Sequence, residues 1–230
     1  MTSPVRRRRS WQTVGNTFGR QAPATTILIL VNVFWYVVIE SITGRGVYGL
    51  VGAGAMFGSG VEAGQWYRLF TAMFVHISII HIGLNMISLA SLYVVEVIIG
   101  SWPFVFVYFL SGFVGNVVGL WLLPGYEVAA GASGAIFGIF AAALALSFRG
   151  YLNKSARNQL LILLVINLVY GFSSAAIDNT AHIGGLITGI LMTLGLIRWA
   201  RYRRLFQGLG MVSAAVAVVA LLWVLVPLMA

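Results

Sequence analysis

Seven long apolar runs leave this chain few ways to fold. They cover residues 24–42, 79–99, 103–122, 128–148, 159–176, 181–197 and 209–229. A helix rises ~1.5 Å per residue and a hydrocarbon core is roughly 30 Å thick, so about 20 apolar residues make one crossing. In lipid every backbone N–H and C=O needs a partner within the protein, which restricts a spanning chain to helices or a closed barrel. Barrel strands alternate over segments of ~10 residues, and these runs are longer and do not alternate. Only 8% of the residues are charged, against roughly 25% in a soluble chain. The expected fold class is an all-α polytopic membrane protein.

The segments between the runs carry the charge. Arg6, Arg7, Arg8 and Arg9 form a basic block, followed by a polar stretch to Pro23. The first run starts too far from these arginines, and is too long, for a signal peptide. A loop with Gly44, Gly46, Gly49, Gly52, Gly54, Gly58, Gly60 and Gly64 follows it, with short apolar stretches expected to lie partly in the membrane interface. The loop ends in Gln65-Trp66-Tyr67-Arg68, which reads as an interfacial anchor. Pro124-Gly125-Tyr126-Glu127 is a turn, 149–157 a basic loop, and 173–179 a short link. The expected division is a basic segment over 1–23, six of the runs over 24–197, and a basic loop with the last run over 198–230.

Orientation follows from Lys and Arg. With the N-terminus in the cytoplasm, twelve of the 14 fall inside and only Arg45 and Arg68 outside, a strong positive-inside bias. The net charge of +9 is thereby accounted for, and no nucleic-acid partner is implied. Arg198, Arg201, Arg203 and Arg204 fit the same rule, and such a cluster can also bind anionic lipid. The chain is expected in the plasma membrane of a prokaryotic cell, with its C-terminus outside.

In this orientation the second, fourth and sixth spans all run inward. Their outer ends hold the polar residues: His76, His81 and Asn85 at the second, Ser133 at the fourth, His182 at the sixth. If the fourth run is helical throughout, Ser133 lies about 7.5 Å below its edge. His81 and Asn85 are four apart, hence on one helical face. Polar groups in a membrane face the bundle interior or a water-filled cavity, so one pocket can hold all of them. Taken singly, each also fits a plain interhelical hydrogen bond. Small residues at spacing four permit close packing: Ala130, Gly134, Gly138 and Ala142; Ser111, Gly115 and Gly119; Gly185 and Gly189.

A serine hydroxyl is a weak nucleophile until a base takes its proton. His182 can be that base and later protonate a leaving amine. A tetrahedral oxyanion needs preorganised donors, and the Ser133 N–H, the Asn85 amide and a His81 ring N–H are the candidates. Other hydrolytic chemistries fail by inventory. The chain has no Cys, so there is no thiol nucleophile, disulfide or thiolate metal site. An aspartyl dyad needs two Asp, and Asp178 is the only one. A His-Glu-x-x-His zinc motif is absent, so no metal or other cofactor is expected. Asp178, four residues before His182, can orient it or simply cap a helix.

These pieces together resemble the rhomboid family of intramembrane serine proteases. The matching stretches are Trp66-Tyr67-Arg68, His76-x4-His81-x3-Asn85, Gly131-Ala132-Ser133-Gly134, and Ala181-His182-Ile183-Gly184-Gly185 with Gly189, in family order. Family members often have adjacent Trp-Arg where this chain has Trp-Tyr-Arg. The resemblance implies a rhomboid-like six-helix bundle plus a C-terminal seventh transmembrane helix. It also implies a Ser133–His182 dyad without a required acid, and an oxyanion hole of His81, Asn85 and the Ser133 N–H. Gly131, His76 and Phe137 are the supporting residues, with Phe137 packing on the histidine. The expected activity is endoproteolysis of single-span membrane proteins near the outer face, at bonds able to unwind from a helix. The alternatives are a proteolytically inactive rhomboid-like chaperone or adaptor, and a channel or transporter. Against the first stands the presence of both Ser133 and His182. Against the second, the polar residues stop near one face.

Overall fold

The computed structural model describes residues 21–122, 128–173, 179–198 and 200–229. Asp178, the turn at 124–127 and the basic block at 6–9 lie outside them. Among the described residues, six helices are long and apolar enough to cross a membrane: Pro23–Thr43, Ile79–Ile99, Ser101–Leu122, Lys154–Ser173, Asn179–Arg198 and Arg203–Met229. A seventh, Ser133–Phe148, has 16 residues. These are the seven expected runs, and the protein is a polytopic helical membrane protein. The third, fourth and sixth spans pack closely on one another, and the seventh lies along the third.

The fourth span is the axis of the bundle. It is apolar on every side, as a helix buried on every side must be, and it is buried from Gly134 to Ala143. Its neighbours come close because glycines face each other. A Cβ on Gly185 would strike the Gly134 carbonyl, and one on Gly189 the Gly138 carbonyl. One on Gly184 would come within 3.1 Å of Gly115 Cα. The stripe at spacing four is thus a packing seam, except for Ala130, which precedes the helix.

The expected helical start of the fourth run is the main correction. Residues 128–132 are not helical. Val128–Ala129 is a short strand, β2, paired antiparallel with β1, Met56–Phe57, in the glycine-rich loop. The helix starts at Ser133, so Ser133 is not five residues inside it. Sixteen residues span about 24 Å, roughly 6 Å short of the hydrocarbon thickness. Non-helical backbone at such a place must be paired inside the protein, and the strand pairing satisfies it. The loop supplying β1 also contains two helical turns, Val47–Gly52 and Gly58–Glu62.

Arg68 holds that loop in place. The expected interfacial anchor is divided: Trp66 is exposed, but Arg68 is buried. Its Nη1 donates to the carbonyls of Val51 at 2.7 Å and Ala55 at 2.8 Å. Its guanidinium also lies over the Phe57 ring, 4.9 Å from the centroid. Trp35 Nε1–H to Ala53 O and Thr71 Oγ–H to Gly54 O complete the attachment.

Two acids within the first two spans have structural partners. Glu96 caps the first span from the second. Its Oε1 accepts from the Ala24 N–H at 2.9 Å and the Ser101 hydroxyl at 2.6 Å. Its Oε2 accepts from the Thr25 N–H at 2.8 Å and the Thr25 hydroxyl at 2.7 Å. The first-turn amides of a helix have no intrahelical acceptor, and a carboxylate suits that end of the dipole. Glu40, at the far end of the first span, follows a π-helical turn over Trp35–Ile39. The fifth span begins earlier than expected, because the Asn153 side chain accepts the Ala156 N–H as an N-cap.

Candidate active site

The site is built where the fourth span begins. Gly131 lies at φ +130°, a region that L side chains rarely enter. This bend ends the extended segment and lets a helix start two residues later. The Gly131 N–H donates to Ala72 O at 2.9 Å, tying the bend to the segment before the second span. Ser133 is the first helical residue, so its own N–H and the next two lack intrahelical acceptors. They face outward from a helix N-terminus, where negative charge is favoured.

The sixth span brings His182 to the serine. His182 Nε2 is 2.8 Å from Ser133 Oγ, a distance that permits direct proton transfer. The Phe137 ring, one turn along from Ser133, stacks on the imidazole with centroids 4.1 Å apart and planes 8° apart. His182 Nδ1 has no hydrogen-bond partner among the described residues. The ring is therefore set by the serine on its edge and Phe137 on its face.

The second span brings His81 and Asn85. Ser78 caps that helix, its Oγ accepting the His81 N–H at 3.1 Å. His81 and Asn85 line the same small cavity as Ser133, Phe137 and His182. Both are only 2% exposed. Neither His81 ring nitrogen has a partner among the described residues, nor does Asn85 Nδ2. Buried polar groups are usually paired. Two residues with unpaired polar atoms on the wall of one cavity mark a place prepared for a polar ligand atom. His81 also explains Gly131: a Cβ there would sit 2.7 Å from His81 Cε1 and 2.9 Å from its Nε2. His76 does not lie on the helix, as expected from sequence, but in the link before Ile79. It backs His81, ring centroids 5.2 Å apart and edge-on.

The fifth span adds residues that are not among the expected site residues. Asn167, Tyr170 and Gly171 line the cavity too. Asn167 Nδ2 donates to Ser88 Oγ at 2.8 Å, fastening the fifth span to the second. A Cβ on Gly171 would come within 2.7 Å of Asn179 Oδ1 and 3.2 Å of the His182 ring, so a side chain there would press on the base and on the start of its helix. The signal for the first two is Asn167-x-x-Tyr170, two polar side chains about one turn apart in the apolar stretch 160–172.

The chain is similar to known proteins. Residues 63–199 match the Rhomboid domain family, a segment that includes every cavity residue named above. The chain is 36% identical over 173 residues to Rhomboid protease GluP of Bacillus subtilis (strain 168), covering 73% of this chain and 34% of that protein. RHOMBOID-like protein 5 of Arabidopsis thaliana is 34% identical over 148 residues, with coverage of 62% and 48%. Putative rhomboid protease YdcA of Bacillus subtilis (strain 168) is 34% identical over 137 residues, with coverage of 58% and 69%. The chain thus spans between about a third and a half of the length of the first two relatives. A helical membrane bundle with this site, matched over most of its length, belongs to the rhomboid family.

Proposed function

We propose that the protein is an intramembrane serine endopeptidase, with Ser133 as nucleophile and His182 as its base. The observation that carries this reading is the 2.8 Å contact between Ser133 Oγ and His182 Nε2. The names of GluP and YdcA as rhomboid proteases support it. Ser133 Oγ adds to the scissile carbonyl carbon as its proton passes to His182 Nε2. The carbonyl oxygen becomes an oxyanion that takes hydrogen bonds from the Ser133 N–H, the Asn85 amide and a His81 ring N–H. Collapse breaks the C–N bond, and Nε2–H protonates the departing amine. Water, deprotonated by the same imidazole, then attacks the acyl-serine ester and releases Ser133. The face-on Phe137 ring holds the base through both halves, in place of an orienting acid.

The substrates are single-span membrane proteins, cut near the outer end of the span after a small residue. A peptide bond in a lipid-embedded helix is protected by its own hydrogen bonds, so the cut segment must unwind first. The protein sits in a prokaryotic plasma membrane, N-terminus inside. Residues 24–197 form the catalytic core, flanked by the basic segment 1–23 and by 198–230 with the seventh span. An inactive chaperone or adaptor would not need the serine and histidine in contact. Labelling with a fluorophosphonate in detergent tests the reading. Label should attach to Ser133, weaken in His182→Ala and vanish in Ser133→Ala. Equal labelling of the Ser133→Ala protein would sink the assignment.

A further inference from the structure

We infer that Glu40 is a positioning residue for the oxyanion-hole histidine His81, acting through His76. This rests on the function proposed above, in which His81 donates to the oxyanion.

A carboxylate in the apolar part of a membrane helix is costly and needs a purpose. Glu40 also sits near the C-terminal end of its helix, the end of the dipole least suited to an acid. Its side chain is nonetheless fully buried. The first span bends its backbone to achieve this. Continued as a plain α-helix from buried Leu28, the chain would turn Glu40 roughly 120° away from that face. The π-helical turn Trp35–Ile39 closes with the Glu40 N–H on Trp35 O. Such a turn takes up about one extra residue, or roughly 100°, and brings Glu40 back toward the Leu28 face. π-turns of this kind occur often at functional sites.

Glu40 Oε1 accepts the His76 backbone N–H at 2.8 Å. That N–H lies in the extended link between the turn Ala72–Phe74 and the second span, so no helix or strand bonds it. The carboxylate therefore fixes the link from the first span. The His76 ring is fully buried, with Nδ1 3.2 Å from Phe74 O. A carbonyl only accepts, so Nδ1 carries the proton. The ring meets His81 edge-on at 5.2 Å, interplanar angle 64°. Because His81 has no hydrogen bond to either ring nitrogen among the described residues, packing alone sets its direction. The His76 ring packs against it edge-on, the Tyr170 ring lies 6.3 Å away, and Gly131 closes the side of Cε1 and Nε2. Releasing the link releases the His76 ring from that packing.

The test measures turnover and KM on a labelled single-span substrate, with a melting curve for every protein. Glu40→Leu keeps the volume and removes the acceptor. Its turnover per folded molecule should fall about ten- to a hundredfold with KM nearly unchanged, the range for displacing a reacting group by up to about 1 Å. Glu40→Gln keeps an acceptor oxygen and should recover most of the loss. In a His81→Ala background Glu40→Leu should cost almost nothing more, since its effect passes through a ring already gone. His76→Leu should show the same pattern and decides the matter if Glu40→Leu does not fold. Wild-type turnover in folded Glu40→Leu, or a loss undiminished in the His81→Ala background, would overturn the inference. The Ser133→Ala control keeps the two readings apart: cleavage without Ser133 defeats the serine mechanism, whatever Glu40 does.

Discussion

Replacing Gly131 with alanine puts a methyl group where the structure has His81. Non-bonded carbons rest ~3.5–4.0 Å apart, and the new Cβ would lie 2.7 Å from His81 Cε1. The ring or the bend must therefore shift by about 0.8 Å or more. The backbone adds its own cost, since φ is +130° and a side chain there costs about 1–3 kcal/mol. Displacing a catalytic group by about 1 Å can lower turnover ~100-fold, or about 2.7 kcal/mol of barrier. Gly64→Ala is the matched control. Gly64 has φ +91° and nothing within 4 Å of an added Cβ, so it incurs strain without the clash. Both variants should melt earlier than the wild type. Only Gly131→Ala should lose turnover per folded molecule on a labelled single-span substrate. Equal turnover in the two variants would refute a site built around the Gly131–His81 contact.

Phe137→Leu removes the ring stacked on His182 and should lower kcat about tenfold with KM little changed, because an aromatic pair is worth ~0.5–1.5 kcal/mol and in the proposed mechanism it positions the base; a KM effect alone would count against that role. Glu96→Gln sets an amide N–H₂ against donors now held by a carboxylate. It should cost at least ~1.5–3 kcal/mol of stability, seen in a melting curve, without changing turnover of the folded fraction. Orientation is tested by single cysteines, which this Cys-free chain allows directly. Cysteines replacing Asn153 or Tyr202 should react with an impermeant maleimide only after the membrane is opened, and one replacing Tyr126 should react in intact cells.

The sequence carried the site further than the backbone that forms it. That Ser133, His182, His81 and Asn85 meet in one cavity was legible because polar groups stand out in apolar runs, whereas Phe137 came only with the resemblance to one family. The start of the fourth span was not legible. Val128 to Ala132 continue its apolar run without a break, and only the pairing with Met56 and Phe57, some 70 residues earlier, makes them a strand. Arg68 looked like an interfacial anchor because Trp66 and Tyr67 precede it. Its burial depends on carbonyls at Val51 and Ala55 that no local pattern announces. Glu40 and Glu96 are a different case. Acids in apolar runs are themselves a signal, but each partner lies far along the chain, at His76 and at Ala24 and Thr25. The fifth span contributes Gly171 by its smallness, and a missing side chain gives no polar signal at all.

In the proposed reaction Ser133 and His182 cut a peptide bond within a membrane-spanning segment. The direct measurement reconstitutes the purified protein in liposomes with a labelled single-span substrate and follows the fragments by gel and mass spectrometry. The wild-type protein should yield one main cut near one end of the span, Ser133→Ala should yield none, and His182→Ala should fall to the background level. Fragments produced at the wild-type rate by correctly folded Ser133→Ala protein would rule out the serine mechanism.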